Sequence, residues 1–364
     1  MSKTVPFTLL LFCIIKFHLI KCGMIINKSS DIFLAPTIND EPIIGVLSQE
    51  MTFNLRSKYA DQYHSYIAAS YVKFIEGGGA RVVPIWIGKD RSYYEDIMSK
   101  LNGILLPGGA LSFTEPNGFA EAGNYIYEIA TKMNDNGNYF PLWGTCLGFE
   151  LITYLSANRT EIRADCSSRS QSLPLNFKDD FKSSRMFKDA PDRVIKILRD
   201  EAVTSNFHTY CLTEKNLTDY HIDSIWRVMS VNDDWNGFEF ISSIEHRQYP
   251  FYAVQFHPEK NIYEWVRNKN ISHTSNALIA SQYFAEFFVN EARKSDHHFM
   301  DEKDEDQYMI YNYQAQFSGA KGSAFEQTYL FPEEVDYRFR RMNFNDQESR
   351  QHLRVLKNLV MTST

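Results

Sequence analysis

The chain has 364 residues, 44% of them hydrophobic and 15% aromatic, with a formal net charge of −7. That apolar content suffices to bury the core of one large domain or two small ones. The acidic balance and the lack of any long basic run exclude nucleic acid as the main partner, because phosphate binding needs clustered lysine and arginine.

From the N-terminus, Lys3 precedes an apolar run from Val5 to Ile15, too short to span a bilayer and placed where a secretory leader carries its hydrophobic segment. The expected division is a signal peptide over 1–23, cleaved near Lys21 to Gly23, a linker over 24–41, one folded domain over 42–332 and a polar tail over 333–364. The tail mixes both charges and is expected to be disordered or weakly helical. No other stretch is apolar enough for a membrane helix, so no membrane partner is expected after cleavage. The sequons at Asn27, Asn158, Asn216 and Asn270 fit a luminal or secreted route. Of the five cysteines, Cys13 leaves with the leader and Cys22 lies near the cleavage point. Cys22, Cys146, Cys166 and Cys211 then form no disulfide framework and point more to a reactive thiol. Whether Cys166 pairs with Cys211 is left open.

Ile43 to Leu47 reads as a first strand after Pro42. Ala60, Tyr63, Ile67, Tyr71 and Phe74 recur at helical spacing and stop at Gly77-Gly78-Gly79, which predicts a helix with a glycine end. Strands follow at Val82–Ile87 and Leu101–Leu106, then a helix over Phe119–Met133 and a strand over Phe140–Trp143. Alternation of helices with near-continuous apolar strands is the pattern of a parallel sheet covered on both faces. Between Val194 and Phe256 the pattern shifts to shorter β-like runs, including Phe238–Ile244 and Phe251–Phe256, which suggest an antiparallel side of the sheet. Ala280, Phe284, Phe287, Phe288 and Ala292 give a late amphipathic helix. Asp301–Asp306 reads as a solvated acidic loop, with His297-His298 beside it on the surface. No His and Cys spacing matches a zinc pattern, so neither a metal nor a cofactor is expected.

The chemistry concentrates in Pro141-Leu142-Trp143-Gly144-Thr145-Cys146-Leu147-Gly148-Phe149-Glu150. An apolar strand breaks at Gly-x-Cys-x-Gly and continues as a helix, the pattern of a nucleophile elbow. Cys146 would stand at a helix N-terminus, where the dipole favours thiolate. Downstream, Tyr252-Ala253-Val254-Gln255-Phe256-His257-Pro258-Glu259 is a strand ending in a histidine and a carboxylate. His257 can act as base toward the thiol and Glu259 can orient its other ring nitrogen, a Cys-His-Glu triad. Pro107-Gly108-Gly109 follows a strand and lets backbone approach closely, so the N–H groups of Gly109 and Leu147 are the expected oxyanion donors.

With these motifs the chain resembles the gamma-glutamyl hydrolases (folate conjugases) of the class I glutamine amidotransferase-like superfamily. Matching segments are Pro42–Leu47, Tyr66–Lys73, Gly79–Pro84, Asn102–Gly109, the elbow, Ser205-Asn206-Phe207-His208, the histidine strand and Ala285–Arg293. Together they run in order from about residue 42 to 331. The resemblance implies a three-layer αβα fold with a mostly parallel central sheet. It also implies a cysteine-dependent hydrolase of folate poly-γ-glutamates, secreted or lysosomal, and a homodimer. His208 matches a histidine near the family's site, and Gly108, Glu150 and His208 are expected to bind substrate. Two other functions remain in view, a glutaminase of an amidotransferase and a catalytically inactive relative. Amidotransferase glutaminases usually carry glutamine where this chain has Glu150, and they need a synthetase that nothing here supplies.

Overall fold

A computed structural model describes residues 38–59 and 62–332. The expectations for the leader, for the linker up to residue 37, for the Asn27 sequon and for the tail from 333 lie outside them.

Eight strands form the main sheet, in the order Arg81–Ile85, Ile43–Leu47, Ile104–Leu106, Leu142–Thr145, Phe251–Val254, Glu239–His246, Trp226–Asp233 and Asn176–Phe177. The first five run parallel. The last three add antiparallel. The parallel strands are short apolar runs buried almost throughout, as expected of strands covered on both faces. Alternation along Leu142–Thr145 shows the two coats. The Trp143 ring packs on Phe74, Phe284 and Phe288, from the helices Ala69–Gly77 and Ser275–Ala292. One residue on, a Cβ at Gly144 would meet Ile152 in the helix Leu147–Ser156, which in turn packs on Phe119–Asp135. The α/β, mostly parallel reading therefore holds.

Three segments differ from expectation. The helix read from Ala60 to Phe74 begins only at Ala69, and Ser65–Ala68 is a strand between Gln49–Glu50 and Thr328–Phe331. A pairing with chain more than two hundred residues away overrides the local 3.6-residue period. The helix does end in the triple glycine, where Gly79 takes φ +92°. Val194 lies in a helix, Asp192–Asp200, and not in a β-like run. The acidic run is likewise helical over Glu302–Tyr308, with the Asp301 side chain accepting from the Lys303 N–H and acids in the first turn facing the positive dipole end. His298 is exposed, and His297 is half-buried with Nδ1 2.9 Å from the Leu101 carbonyl.

A separate antiparallel ribbon, Ala164–Leu173 with Thr204–Cys211, was not anticipated. The Cys166–Cys211 disulfide crosses it, answering the question left open by the cysteine count. Among the described residues no helix is long and apolar enough to cross a membrane.

Candidate active site

The sharp strand-to-helix turn puts Cys146 at φ 51°, ψ −105°, the strained backbone expected of an elbow. Its flanking glycines are needed for contact. A Cβ at Gly148 would lie 2.0 Å from the Leu106 carbonyl oxygen, and one at Gly144 2.7 Å from that of Gly148. Only bare backbone lets the helix sit this close to the sheet. The Cys146 N–H donates to the Val254 carbonyl at 2.8 Å, tying the elbow to the strand that leads to His257.

His257 lies just past that strand, its N–H held by the Ser205 carbonyl at 2.8 Å. Its Nδ1 is 2.7 Å from Glu259 Oε1. The Gly108 backbone lies where three groups converge, for a Cβ there would be 2.7 Å from His257 Cε1, 2.7 Å from the Tyr71 hydroxyl and 3.0 Å from Cys146 Cβ. The Tyr71 hydroxyl accepts from the Gly108 N–H at 2.9 Å and lies 3.2 Å from His257 Nδ1. Gln49 braces the neighbouring loop, donating to the Pro107 carbonyl at 3.4 Å and accepting from the Tyr66 hydroxyl at 3.0 Å.

Burial governs the titration of all these groups. It pushes the Cys146 thiol well up, helped by the carboxylates of Glu150 and Glu259 and opposed by Lys260 and the Leu147 N–H. The helix N-terminus thus does not prevail, and the resting sulfur is a thiol. Burial also lowers His257, with Lys260 acting in the same sense and Glu259 against it. Glu259 itself is pushed up by burial but held below its ordinary range by His257 and Lys260, so it is ionised and accepts from Nδ1–H. This leaves the lone pair of Nε2 for the thiol proton.

Glu150 is buried on the elbow helix, with Oε2 2.8 Å from Arg163 Nη1 and Oε1 3.1 Å from Gln255 Nε2. Burial raises its pKa, against Arg163 and Gln255. Its acceptors are therefore engaged by protein donors. Arg163 in turn forks onto Glu161 and lies over the rings of Phe113 and Tyr210. Glu150→Gln would remove the charge and leave one acceptor oxygen where Arg163 and Gln255 now each have their own. We expect that variant to lose about tenfold in kcat/KM, on the order of one charge-assisted hydrogen bond, measured by glutamate release. An unchanged rate would show that the pair only supports the fold.

His208 stands on the ribbon, buried, with Nε2 3.2 Å from Asn206 Oδ1 and Nδ1 toward the disulfide. Burial, with His257 nearby, holds its pKa at about 3, so it is neutral at any working pH. Cys146, Leu147, Gly108, Gly109, Glu150, His208 and His257 all line one cavity of about 750 Å³. Glu259 sits behind His257, fully buried. Arg169, Lys260 and Lys269 also line the cavity, so that beside the paired Glu150 and Arg163 three basic side chains stand against one carboxyl group, Glu264.

Sequence reasoning missed Tyr71, Gln49, Gln255, Arg163, Lys260 and Lys269. Gln255 was within reach, since it stands only two residues before His257, where the strand Phe251–Val254 has just ended. Tyr71 reads locally only as an apolar position on a helix.

A strained thiol at a strand-to-helix turn, with a buried histidine and carboxylate beside it, defines an enzyme of α/β architecture that works through a cysteine. The Peptidase C26 family model matches residues 42–259. The gamma-glutamyl hydrolase of Rattus norvegicus is 43% identical over 291 residues, 80% of this chain and 89% of its own. That of Homo sapiens is 40% identical over 292 residues, 80% and 90% of the two chains. Gamma-glutamyl hydrolase B of Dictyostelium discoideum is 39% identical over 303 residues, 83% and 86%. The chain belongs to the Peptidase C26 family, together with the gamma-glutamyl hydrolases it matches.

Proposed function

We propose that this protein hydrolyses the γ-glutamyl bonds of folate poly-γ-glutamates through a γ-glutamyl thioester on Cys146. The observation that carries the reading is the convergence of Cys146 and His257 on Gly108, at the floor of a cavity lined by Arg169, Lys260 and Lys269. A poly-γ-glutamate chain carries a free α-carboxylate on every residue, and those cations complement it.

Nε2 of His257 takes the thiol proton as sulfur attacks the γ-carbonyl carbon, and the Leu147 and Gly109 N–H groups receive the oxyanion. Collapse of the tetrahedral adduct expels the amine, which takes the proton from His257. Water, deprotonated by His257, then cleaves the thioester and restores the thiol. Glu259 keeps Nδ1 protonated and supports the imidazolium in both halves. Glu150 acts through Arg163 and Gln255.

The test is incubation of the purified enzyme with folate pentaglutamate at acid pH, with products resolved by chromatography, alongside an assay for ammonia from free glutamine. Shortened folates with only trace ammonia are expected. Intact pentaglutamate, or efficient ammonia release, would overturn the reading.

The pH profile gives a second check. The base must be unprotonated, and burial lowers its pKa, so the acid limb of kcat/KM should fall below the ordinary imidazole value of about 6.5. Glu259→Gln removes the group that opposes this lowering and should move the limb further toward acid while reducing the rate. A limb at or above the ordinary value would contradict the assignment of His257 as base.

The leader and the sequons support a secretory route to the lysosome or the exterior. Asn158 and Asn270 are exposed, whereas Asn216 is half-buried in a capping box with Thr213.

A further inference from the structure

The disulfide ribbon holds a cluster that takes no part in the bond-making and bond-breaking steps. The Sγ atoms of Cys166 and Cys211 and a ring nitrogen of His208 all lie within 4.8 Å of one another. We propose that these three residues form a latent zinc site, opened when the Cys166–Cys211 disulfide is reduced, and that filling it slows the enzyme.

The donor set and its support both fit. Two thiolates and an imidazole are ligands that zinc favours, and the three residues stand on paired strands, so the scaffold presents them together. His208 Nδ1 is 3.5 Å from the Cys166 sulfur and 3.3 Å from that of Cys211. On the far side of the ring, Nε2 lies 3.2 Å from Asn206 Oδ1. An Nε2–H donated to that amide oxygen fixes the tautomer and directs the Nδ1 lone pair at the sulfurs, as outer partners of zinc-binding histidines do. With Zn–S bonds of about 2.3 Å, the sulfurs must part to roughly 3.8 Å. The Cα atoms are already 5.9 Å apart, so side-chain rotation alone can supply this. Cys166 is half-buried, which leaves water a fourth position.

The balance is simple. The disulfide becomes two thiols by taking two electrons from an external phosphine, with water supplying both protons and the oxygen of the phosphine oxide formed, or two electrons and two protons from a dithiol, which closes to its own disulfide. Zinc then displaces both thiol protons, while neutral His208 binds without releasing one. The coupling to turnover runs through the ribbon, because His208, Phe207, Tyr210 and Arg169 line the cavity. That second half rests on the hydrolase reading; the metal site does not.

The test uses the Cys146→Ala protein, so that the elbow thiol cannot compete. It is reduced with a phosphine, freed of reductant, and titrated with zinc or cobalt(II). One retained equivalent is expected, with a thiolate-to-cobalt charge-transfer absorption, and none in the unreduced protein or in a Cys166→Ser/Cys211→Ser background. Stoichiometric zinc failing to bind, equal binding by the serine background, or loss of cooperative melting on reduction would each overturn the site. In parallel, reduced protein with Cys146 intact should be inhibited at zinc concentrations at least tenfold lower than its Cys166→Ser/Cys211→Ser counterpart. Equal sensitivity would remove the link to turnover while leaving the metal site standing.

Discussion

Cys146→Ala should abolish hydrolysis of γ-glutamyl bonds, with kcat reduced by at least about 10³-fold, while the protein still folds and binds substrate. Without the sulfur no thioester forms, and the oxyanion donors and binding groups alone recover only a small part of the rate. The structural cost is small. One buried sulfur atom is lost from a site that opens on the cavity, and a cavity term of about 1 kcal/mol is the scale to expect. Alanine keeps the same backbone demand at φ 51°, so the strain of the elbow is unchanged. His257→Asn should be nearly as severe, because burial holds the resting sulfur as a thiol that needs a base. Single-turnover assays with folate polyglutamate, together with a binding isotherm and a melting curve, check all three statements. Substantial turnover by Cys146→Ala would overturn the mechanism.

Gly108→Ala is expected to cost about 10²-fold in kcat/KM with little loss of stability. Its new methyl group would stand 2.7 Å from His257 Cε1 and from the Tyr71 hydroxyl, and 3.0 Å from Cys146 Cβ. Real Cβ atoms do not come so close, so the imidazole, the phenol or the loop must move by several tenths of an ångström. Displacements of this order at the reacting groups are enough for a loss of that size. Few core side chains are disturbed, so the melting temperature should stay within a few degrees of the parent. A Gly108→Ala enzyme with normal kcat/KM would show that the approach of His257 to Cys146 tolerates change. A variant that fails to fold would assign Gly108 to the fold instead.

The sequence by itself determined the elbow, the histidine strand and the parallel half of the sheet, because each is written in contiguous residues. The glycines at 144 and 148 stand where backbone must touch backbone. The apolar runs at Ile43 and Leu142 need cover on both faces wherever they lie. The His-Pro-Glu spacing sets His257 within reach of Glu259 without help from distant chain. What only the tertiary structure decided depends on pairs far apart in the chain. Ser65–Ala68 becomes strand because Thr328–Phe331 offers it a hydrogen-bonding edge, and no window around Ile67 contains that information. The ribbon that carries His208, its disulfide, and the grip of Tyr71 on both Gly108 and His257 arise in the same way. The protonation of the site followed suit. A helix N-terminus favours thiolate locally, but burial by the surrounding fold and two nearby carboxylates outweigh it, and those come from the whole molecule.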